Sequence, residues 1–275
     1  MKTKILFLSV LIGLSSLFYS CDEDGGINFF TVEQDIQFGE EFHAQLVSNS
    51  AEYPLVARNT ASATAYQHLD RMRNALKTSP NLNYGNTFSW DVYIIKDDNV
   101  VNAFCVPGGK MYFYTGLIKF LDNEAQFAGV MAHEMAHADK RHSTKIMTKQ
   151  YGFSMLLSAL LGDDPSMLAE IAANLATGIG TLYFSRDNEY EADEFAVKYT
   201  NDASGDNNFD PKGISGFFEK IGTDPETTSA PEFLSTHPSD EHRLENINTV
   251  WVGLGSPTGE LYPTRYAEFK SSLPL

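Results

Sequence analysis

One short pattern constrains this chain more than any other feature, namely His133-Glu134-Met135-Ala136-His137. Two histidines four residues apart on a helix lie on the same face, one turn from each other. This spacing lets both imidazoles reach one zinc ion at about 2.0–2.1 Å. Glu134, next to the first histidine, can serve as a general base toward the attacking water. The pattern therefore predicts a catalytic zinc site with His133 and His137 as ligands.

A third ligand must come from elsewhere, because a catalytic zinc site has three protein ligands and one open position. A later helical segment carries Glu189, Ala192 and Asp193. Glu189 and Asp193 lie four residues apart on one helical face, so either carboxylate can ligate the metal. The other acid would orient a ligand histidine through a hydrogen bond. The small Ala192 would let two helices approach closely.

The spacing of apolar residues predicts an α+β fold that is mainly helical. Helices are expected at 31–50, 61–77, 123–149, 166–199, 211–221 and 239–250, with an interruption of the fourth near 178–180, and the stretch 154–161 is strongly apolar. Thr31 and Gln34 can form a capping box at the first of them. Runs of aromatic and β-branched residues predict three strands, at 89–95, 100–105 and 110–114. These strands would form a small sheet beside the helix that carries the histidine pair.

The first twenty residues have the layout of an export signal. Lys2 and Lys4 precede an apolar run at 5–18, which is too short for a permanent membrane helix. Cys21 follows directly, and this junction resembles a bacterial lipoprotein signal in which the cysteine is lipidated. An ordinary cleaved signal with a chance cysteine is the alternative. We therefore expect a membrane-anchored lipoprotein of the cell envelope.

Composition sets further limits on the chain. After the signal at 1–20 and an acidic linker at 21–30, residues 31–275 are long enough to form a single domain with its own core. The net charge of −16 repels phosphate backbones, so nucleic acid is not expected as a partner.

Cys105 is the only cysteine besides Cys21. If Cys21 carries lipid, Cys105 has no disulfide partner and is expected to be a small buried side chain.

Taken together, the motifs resemble those of the HtpX-like and CAAX-prenyl-protease-type zinc metalloproteases. The resemblance covers roughly residues 32–250 and rests on separated motifs in the same order, at 102–109, 115–118, 133–137, 189–193 and 236–243. It implies a zincin-type domain with one zinc ion per chain, held by His133, His137 and Glu189, with Glu134 as the base. It also implies that Asp193 orients a ligand and that His237 and Arg243 line the active site.

The residues that precede the histidine pair fit a peptide-binding mode. An exposed sheet edge beside a zinc site can hold an extended peptide by strand addition. The substrate contacts expected from this segment are Asn102, Ala103, Phe104, Gly108 and Gly109. A second donor is needed for the oxyanion, and His237 or Arg243 is the candidate.

The predicted function is zinc-dependent endopeptidase action on unfolded or extended polypeptides. The resemblance to exported lipoprotein members implies misfolded or misassembled cell-envelope proteins as substrates, at the periplasmic face or the cell surface of the outer membrane. In some relatives a segment around His237 blocks the metal.

Two other functions stay open. A zinc hydrolase of cell-wall peptides would show a deep pocket lined by polar groups that bind sugars. A chaperone-like binding protein with a latent metal site would show a fourth protein ligand that closes the zinc.

The remaining histidines carry no recognisable partner pattern, and surface or core positions are expected for His43, His68, His142 and His242. His142 follows His137 by five residues, which on a continuous helix places it off the metal-facing side.

Overall fold

A computed structural model describes residues 28–161, 166–177, 183–203, 205–223, 230–238 and 242–274. The predicted signal, the lipidation site Cys21 and most of the acidic linker lie outside these residues. The helix interruption expected near 178–180 also lies outside them.

The described chain is mainly helical and contains one small sheet, as the sequence predicts. The helices are α1 (Val32–Ser48), α2 (Ala63–Leu76), α3 (Thr115–Phe120), α4 (Glu124–Asp139), α5 (His142–Leu161), α6 (Ser166–Thr177), α7 (Arg186–Asp202), α8 (Gly213–Thr223), α9 (Ala230–Thr236), α10 (His242–Gly253) and α11 (Pro263–Ser271). The strands are β1 (Val92–Ile95), β2 (Ala103–Val106) and β3 (Lys110–Tyr114).

The sheet is mixed and has the strand order β1-β3-β2. β3 pairs in parallel with β1 and antiparallel with β2, which makes β2 an edge strand. Alternate side chains of β3 enter two different apolar clusters, because successive residues of a strand point to opposite faces. Met111 and Phe113 pack on the α4 side, whereas Tyr112 and Tyr114 pack with residues of α1 and α6. The sheet is therefore covered on both faces.

Helix α4 runs through the centre of the molecule, and all of its residues are buried. Its first turn is capped by the Asn123 side chain, which accepts from the Gln126 backbone N–H at 3.0 Å. The buried Glu124 carboxylate binds the guanidinium groups of Arg71 and Arg265. α4 packs against α7, α8 and β2. These contacts fix the position of the histidine pair that α4 carries.

The helix expected at 123–149 is broken, so this prediction is wrong as a single element. α4 ends at Asp139, and Arg141 adopts the left-handed backbone conformation with φ 57° before α5 begins at His142. The Arg141 side chain is buried and donates at 2.5 Å to the Asp35 carboxylate and at 2.5 Å to the Phe30 carbonyl. These tertiary bonds offset the strain of a positive φ at a residue with a side chain.

The N-terminal end of the described chain is packed, although the sequence assigns it to the linker. Asn28 and Phe30 are buried, and the Asn28 amide donates to Thr144 at 2.9 Å. The predicted capping box at Thr31 and Gln34 is present, so this part of the prediction is confirmed.

Helices α3, α9 and α11 are additions to the predicted set. No helix among the described residues has the length and apolar character that crossing a bilayer requires.

Gly39 lies in the middle of α1 and is buried. A Cβ at this position would overlap the carbonyl oxygen of Pro107 in the β2–β3 turn. Glycine is therefore needed here for the close approach of helix and turn, and it does not break the helix.

We expect Gly39→Ala to lower the free energy of unfolding by about 1–3 kcal/mol, because the turn must move to make room. Gly222 is a matched control, since it also lies in a helix and a Cβ there would meet nothing within 4 Å. Gly222→Ala should raise the stability by about 0.5–1 kcal/mol, owing to the better helix propensity of alanine. Urea denaturation of both variants measures the difference, and equal effects would contradict the packing argument.

Candidate metal centre

Four elements bring the predicted site residues together. α4 supplies His133, Glu134 and His137, and α7 supplies Glu189 and Asp193. His237 follows the end of α9, and Arg243 lies in the first turn of α10. All seven of these side chains are buried.

Four of these residues point donor atoms at a common centre. One ligand atom each from His133, His137, Glu189 and His237 lies within 4.8 Å of all the others. His133 Nε2 lies 3.0 Å from His137 Nε2, 3.3 Å from His237 Nδ1 and 3.5 Å from Glu189 Oε2. Glu189 Oε1 lies 3.5 Å from His137 Nε2 and 3.1 Å from His237 Nδ1.

These separations fit a tetrahedral metal site. Ligand bonds of about 2.0–2.1 Å give a tetrahedron with edges of roughly 3.3–3.4 Å between donor atoms. The donor set, three imidazole nitrogens and one carboxylate oxygen, is a set that zinc binds. The residues present therefore fit a zinc ion.

A bridge of hydrogen bonds holds the two metal-facing helices in register. Asp193 Oδ1 lies 2.9 Å from His133 Nδ1, the ring nitrogen that faces away from the cluster. Arg243 binds the Asp193 carboxylate through two N–H groups, both at 2.7 Å. A further nitrogen of Arg243 lies 2.7 Å from Glu189 Oε2. One guanidinium thus clamps both carboxylates of α7.

The charges of the cluster shift the pKa values of its members. Burial opposes protonation of His133, but hydrogen bonds to Asp193 and Glu189 raise the pKa of His133 to about 9. Burial alone would raise the pKa of Glu189, yet the nearby His237, His133 and His137 hold it well below its usual range. Burial lowers the pKa of His137, which favours the neutral ring that can bind a metal.

Glu134 lies beside the four donors without belonging to the set. Its Oε1 atom is 3.5 Å from His237 Nε2. Its carboxylate accepts a hydrogen bond from the backbone N–H of Cys105 in β2. Burial raises the pKa of Glu134, although His237 and His133 act in the opposite direction. A carboxylate with a raised pKa is better suited to exchange protons near neutral pH.

The edge strand β2 passes next to Glu134. Asn102 O accepts from Tyr114 N at 3.2 Å, so Asn102 forms a hydrogen-bonded pair with the central strand. Bonded and non-bonded pairs alternate along an antiparallel ladder, which directs the backbone groups of Ala103 and Cys105 to the outer edge. The Ala103 N–H is bonded to the Asn102 side chain at 2.9 Å.

The other predicted substrate contacts pack against parts of the fold outside the donor cluster. Phe104 stacks on Tyr112 with ring centroids 4.7 Å apart. Gly108 and Gly109 form the β2–β3 turn with positive φ, packed against α1 and Trp90 respectively. The fold accounts for both glycines, and their contact with substrate stays a prediction.

The His237 ring is held in the cluster between two aromatic rings. Its ring stacks on Phe233 with centroids 4.5 Å apart and on Phe184 with centroids 5.3 Å apart. Its Nδ1 is the fourth donor, in the position that a catalytic zinc site keeps open. The arrangement is thus that of a closed site.

Sequence reasoning missed His142 and Glu191. His142 is fully buried, with Nδ1 2.9 Å from His137 Nδ1 and Nε2 2.9 Å from Glu191 Oε2. The break at Arg141 turns His142 back toward His137, whereas a continuous helix would carry it away. No signal in the local spacing reveals that break, because its cause is the contact of Arg141 with Asp35.

The remaining histidines lie outside the metal-facing donor set. The His43 ring stacks on Tyr93, and its Nδ1 lies 2.9 Å from the Tyr112 hydroxyl. The His68 ring packs near Phe269, and His242 is exposed.

We expect Asp193→Asn to weaken zinc binding about 10–100-fold, because Arg243 loses its countercharge and His133 keeps only a neutral amide oxygen as its acceptor in place of the carboxylate. The free energy of unfolding should fall by about 3 kcal/mol, as for other broken buried ion pairs. Asp187→Asn is the matched control, since Asp187 is exposed in the first turn of the same helix. Isothermal titration with zinc and urea denaturation measure both quantities, and equal behaviour of the two variants would contradict the assignment.

Comparisons with known proteins relate the chain to peptidases. The chain matches the model of Peptidase family M48 over residues 66–250. It is 29% identical over 229 residues to the Beta-barrel assembly-enhancing protease of Escherichia coli (strain K12), a match that covers 78% of this chain and 43% of that protein. It is 32% identical over 155 residues to the Mitochondrial metalloendopeptidase OMA1 of Arabidopsis thaliana, over 56% of this chain and 30% of that protein.

The chain spans less than half the length of these curated relatives. The matched region nevertheless includes the whole donor cluster, Glu134, Asp193 and Arg243. The chain therefore belongs to Peptidase family M48.

Proposed function

We propose that this protein is a zinc-dependent endopeptidase in which His133, His137 and Glu189 hold the metal. The observation that carries the proposal is the buried donor cluster with a carboxylate, Glu134, beside it. Membership of Peptidase family M48 supports peptide-bond hydrolysis as the reaction.

Each residue has a distinct part in the proposed reaction. A bound zinc ion supplies Lewis-acid polarisation of the scissile carbonyl and acidifies water. Glu134 takes the proton of the attacking water at its carboxylate and later delivers a proton to the leaving amine. Asp193 keeps His133 oriented, and Arg243 keeps the carboxylates of Asp193 and Glu189 in place.

The geometry favours a positioning role for Arg243 over the oxyanion role. Its guanidinium contacts the Glu189 and Asp193 carboxylates, and it also donates to the Pro238 carbonyl at 3.3 Å. His237 is then the better candidate for the oxyanion donor, since its Nε2 is already close to Glu134. This role requires His237 to leave the metal-facing seat first.

The edge strand supports an extended polypeptide as substrate. The backbone groups of Ala103 and Cys105 face the outer edge of β2, and the Cys105 N–H bonds Glu134, so a peptide paired with this edge would pass the reacting centre. The N–H groups of both residues are already bonded, to the Asn102 side chain and to Glu134, so the peptide would pair through the carbonyl groups or displace these bonds. The Cys105 N–H then holds the Glu134 carboxylate in line with the strand.

We further propose a cell-envelope setting for this activity. The name of the Escherichia coli relative, Beta-barrel assembly-enhancing protease, supports a proteolytic role connected with the assembly of β-barrel proteins. The export signal at 1–20 and a lipidated Cys21 would anchor the domain to a membrane as a lipoprotein, in the exported branch of HtpX-like peptidases. Misfolded or misassembled envelope proteins are the substrates that this setting provides.

One observation favours a second candidate, a binding protein with a latent metal site. His237 completes the donor set, and a fourth protein ligand is typical of structural zinc. We rank this candidate second, because Glu134 retains a position beside the cluster that a structural site does not need.

We expect Glu134→Gln to retain about one zinc ion per chain and to lose 10²–10⁴-fold in kcat on an unfolded model polypeptide, because the amide cannot take the proton. Elemental analysis and peptide-release assays on both proteins make the test. A Glu134→Gln variant as active as the wild type would remove Glu134 from the reaction. A wild type that contains no zinc would contradict the metal site itself.

We expect His237→Ala to retain zinc through the other three ligands and to change the activity in a way that separates the two candidates. If His237 closes a working site and then serves as the oxyanion donor, its removal opens the fourth position, so cleavage should begin without a lag, whereas the steady-state kcat should fall because the oxyanion donor is lost. If the protein is a latent binder, wild type and variant contain zinc and neither cleaves. His242→Ala is the matched control, because His242 is exposed, and it should behave as the wild type does.

A further inference from the structure

His142 stands at the first position of α5, directly after the break at Arg141. Its ring meets the His137 ring edge-on, with centroids 4.9 Å apart and an interplanar angle of 75°. The two Nδ1 atoms are 2.9 Å apart, and the far nitrogen of His142, Nε2, is 2.9 Å from Glu191 Oε2. A continuous row of hydrogen bonds thus runs from Glu191 on α7 through His142 to His137 on α4.

The direction of these bonds follows from what each group can do. A carboxylate only accepts, so His142 Nε2 carries the proton that faces Glu191. The Nδ1 atom of neutral His142 is then an acceptor, and His137 Nδ1 must be the N–H that donates to it. This arrangement leaves His137 Nε2 with a free lone pair. Nε2 is the atom of His137 that faces the other donors of the cluster.

We propose that His142 and Glu191 are positioning residues that hold His137 in the tautomer and the ring orientation required for metal binding. The inference rests on the proposed metal site and adds residues to it that touch neither metal nor substrate. Partners of this kind commonly contribute 10–100-fold to metal affinity.

The two histidines of α4 are held by different means, although both are anchored on α7. His133 Nδ1 faces the fully buried Asp193 directly at 2.9 Å. His137 reaches a carboxylate only through His142, and Glu191 keeps a quarter of its side chain exposed. α7 therefore provides the proposed ligand Glu189 and also the two carboxylates, Asp193 and Glu191, on which His133 and His137 are anchored.

The first test compares two substitutions at His142 in the full-length protein. His142→Leu removes the acceptor, so zinc affinity should fall about 10–100-fold. His142→Asn places a carboxamide oxygen close to the former Nδ1 position, so it should restore most of the affinity and stay within about threefold of the wild type. Competition with a chromophoric zinc chelator gives the dissociation constants, and the absorption spectrum of the cobalt-substituted proteins reports the ligand geometry.

The second test changes Glu191 in order to reverse the direction of the hydrogen bonds that run through His142 to His137. Glu191→Gln still offers an oxygen to His142 Nε2–H and should bind zinc almost as the wild type does. Glu191→Lys offers only donors, which forces the His142 proton to Nδ1 and opposes the His137 N–H. Its zinc affinity should fall as far as that of His142→Leu. Glu194→Lys is the matched control, because Glu194 is on the same helix with 40% of its side chain exposed and undergoes the same charge change.

Thermal unfolding without metal separates positioning from a structural role. The proposal predicts melting temperatures of the metal-free variants close to that of the metal-free wild type, with a smaller zinc-induced increase for His142→Leu and Glu191→Lys. Wild-type zinc affinity and cobalt spectra in these two variants would overturn the proposal. So would an Asn variant as weak as the Leu variant. A wild type that binds no zinc would instead contradict the proposed function, on which the inference rests.

Discussion

The structure depends on burying ionisable groups together in its centre. Three histidines, three carboxylates and one arginine are each at most 1% exposed, namely His133, His137, His237, Glu134, Glu189, Asp193 and Arg243. Burial of charge is costly unless each group is paired or bound to a metal. Here every charged group faces an opposite charge or the donor cluster, so binding of a metal at this cluster would stabilise the fold. The remainder of the fold holds the donor atoms at separations that suit a shared metal ion.

Two helices supply most of these groups. α4 brings the histidine pair and the proposed base Glu134, and it is fixed at its first turn by the two arginines on Glu124. α7 brings the Glu189 carboxylate, which belongs to the donor set, and the Asp193 carboxylate, which faces His133. Both carboxylates pair with the Arg243 guanidinium. Arg243 of α10 joins Glu189 to Asp193, so a small shift of α7 would disturb both helices at the metal. The edge strand β2 adds the remaining part, a line of outward backbone groups that ends at Glu134.

Features that depend on residues close together in the chain can be predicted from the sequence. The histidine pair, the α7 carboxylates, the capping box at Thr31 and the central strand β3 all follow from spacing or residue type. The break at Arg141 and the row from His142 to Glu191 do not, because the contact between Arg141 and Asp35 joins residues 106 positions apart. The position of His237 depends likewise on the Phe184 ring, which comes from a distant part of the chain and stacks on it beside the Phe233 ring of the adjoining α9. Long-range packing decides these features, and periodicity carries no information about them.

X-ray absorption spectroscopy at the zinc edge of the full-length protein tests the central claim most directly, since it counts the atoms around the metal. The account predicts one four-coordinate zinc ion per chain with three imidazole ligands and one oxygen ligand, and one imidazole fewer in His237→Ala. Zinc surrounded by oxygen alone, or an unchanged number of imidazoles in the variant, would contradict a closed site made of His133, His137, His237 and Glu189.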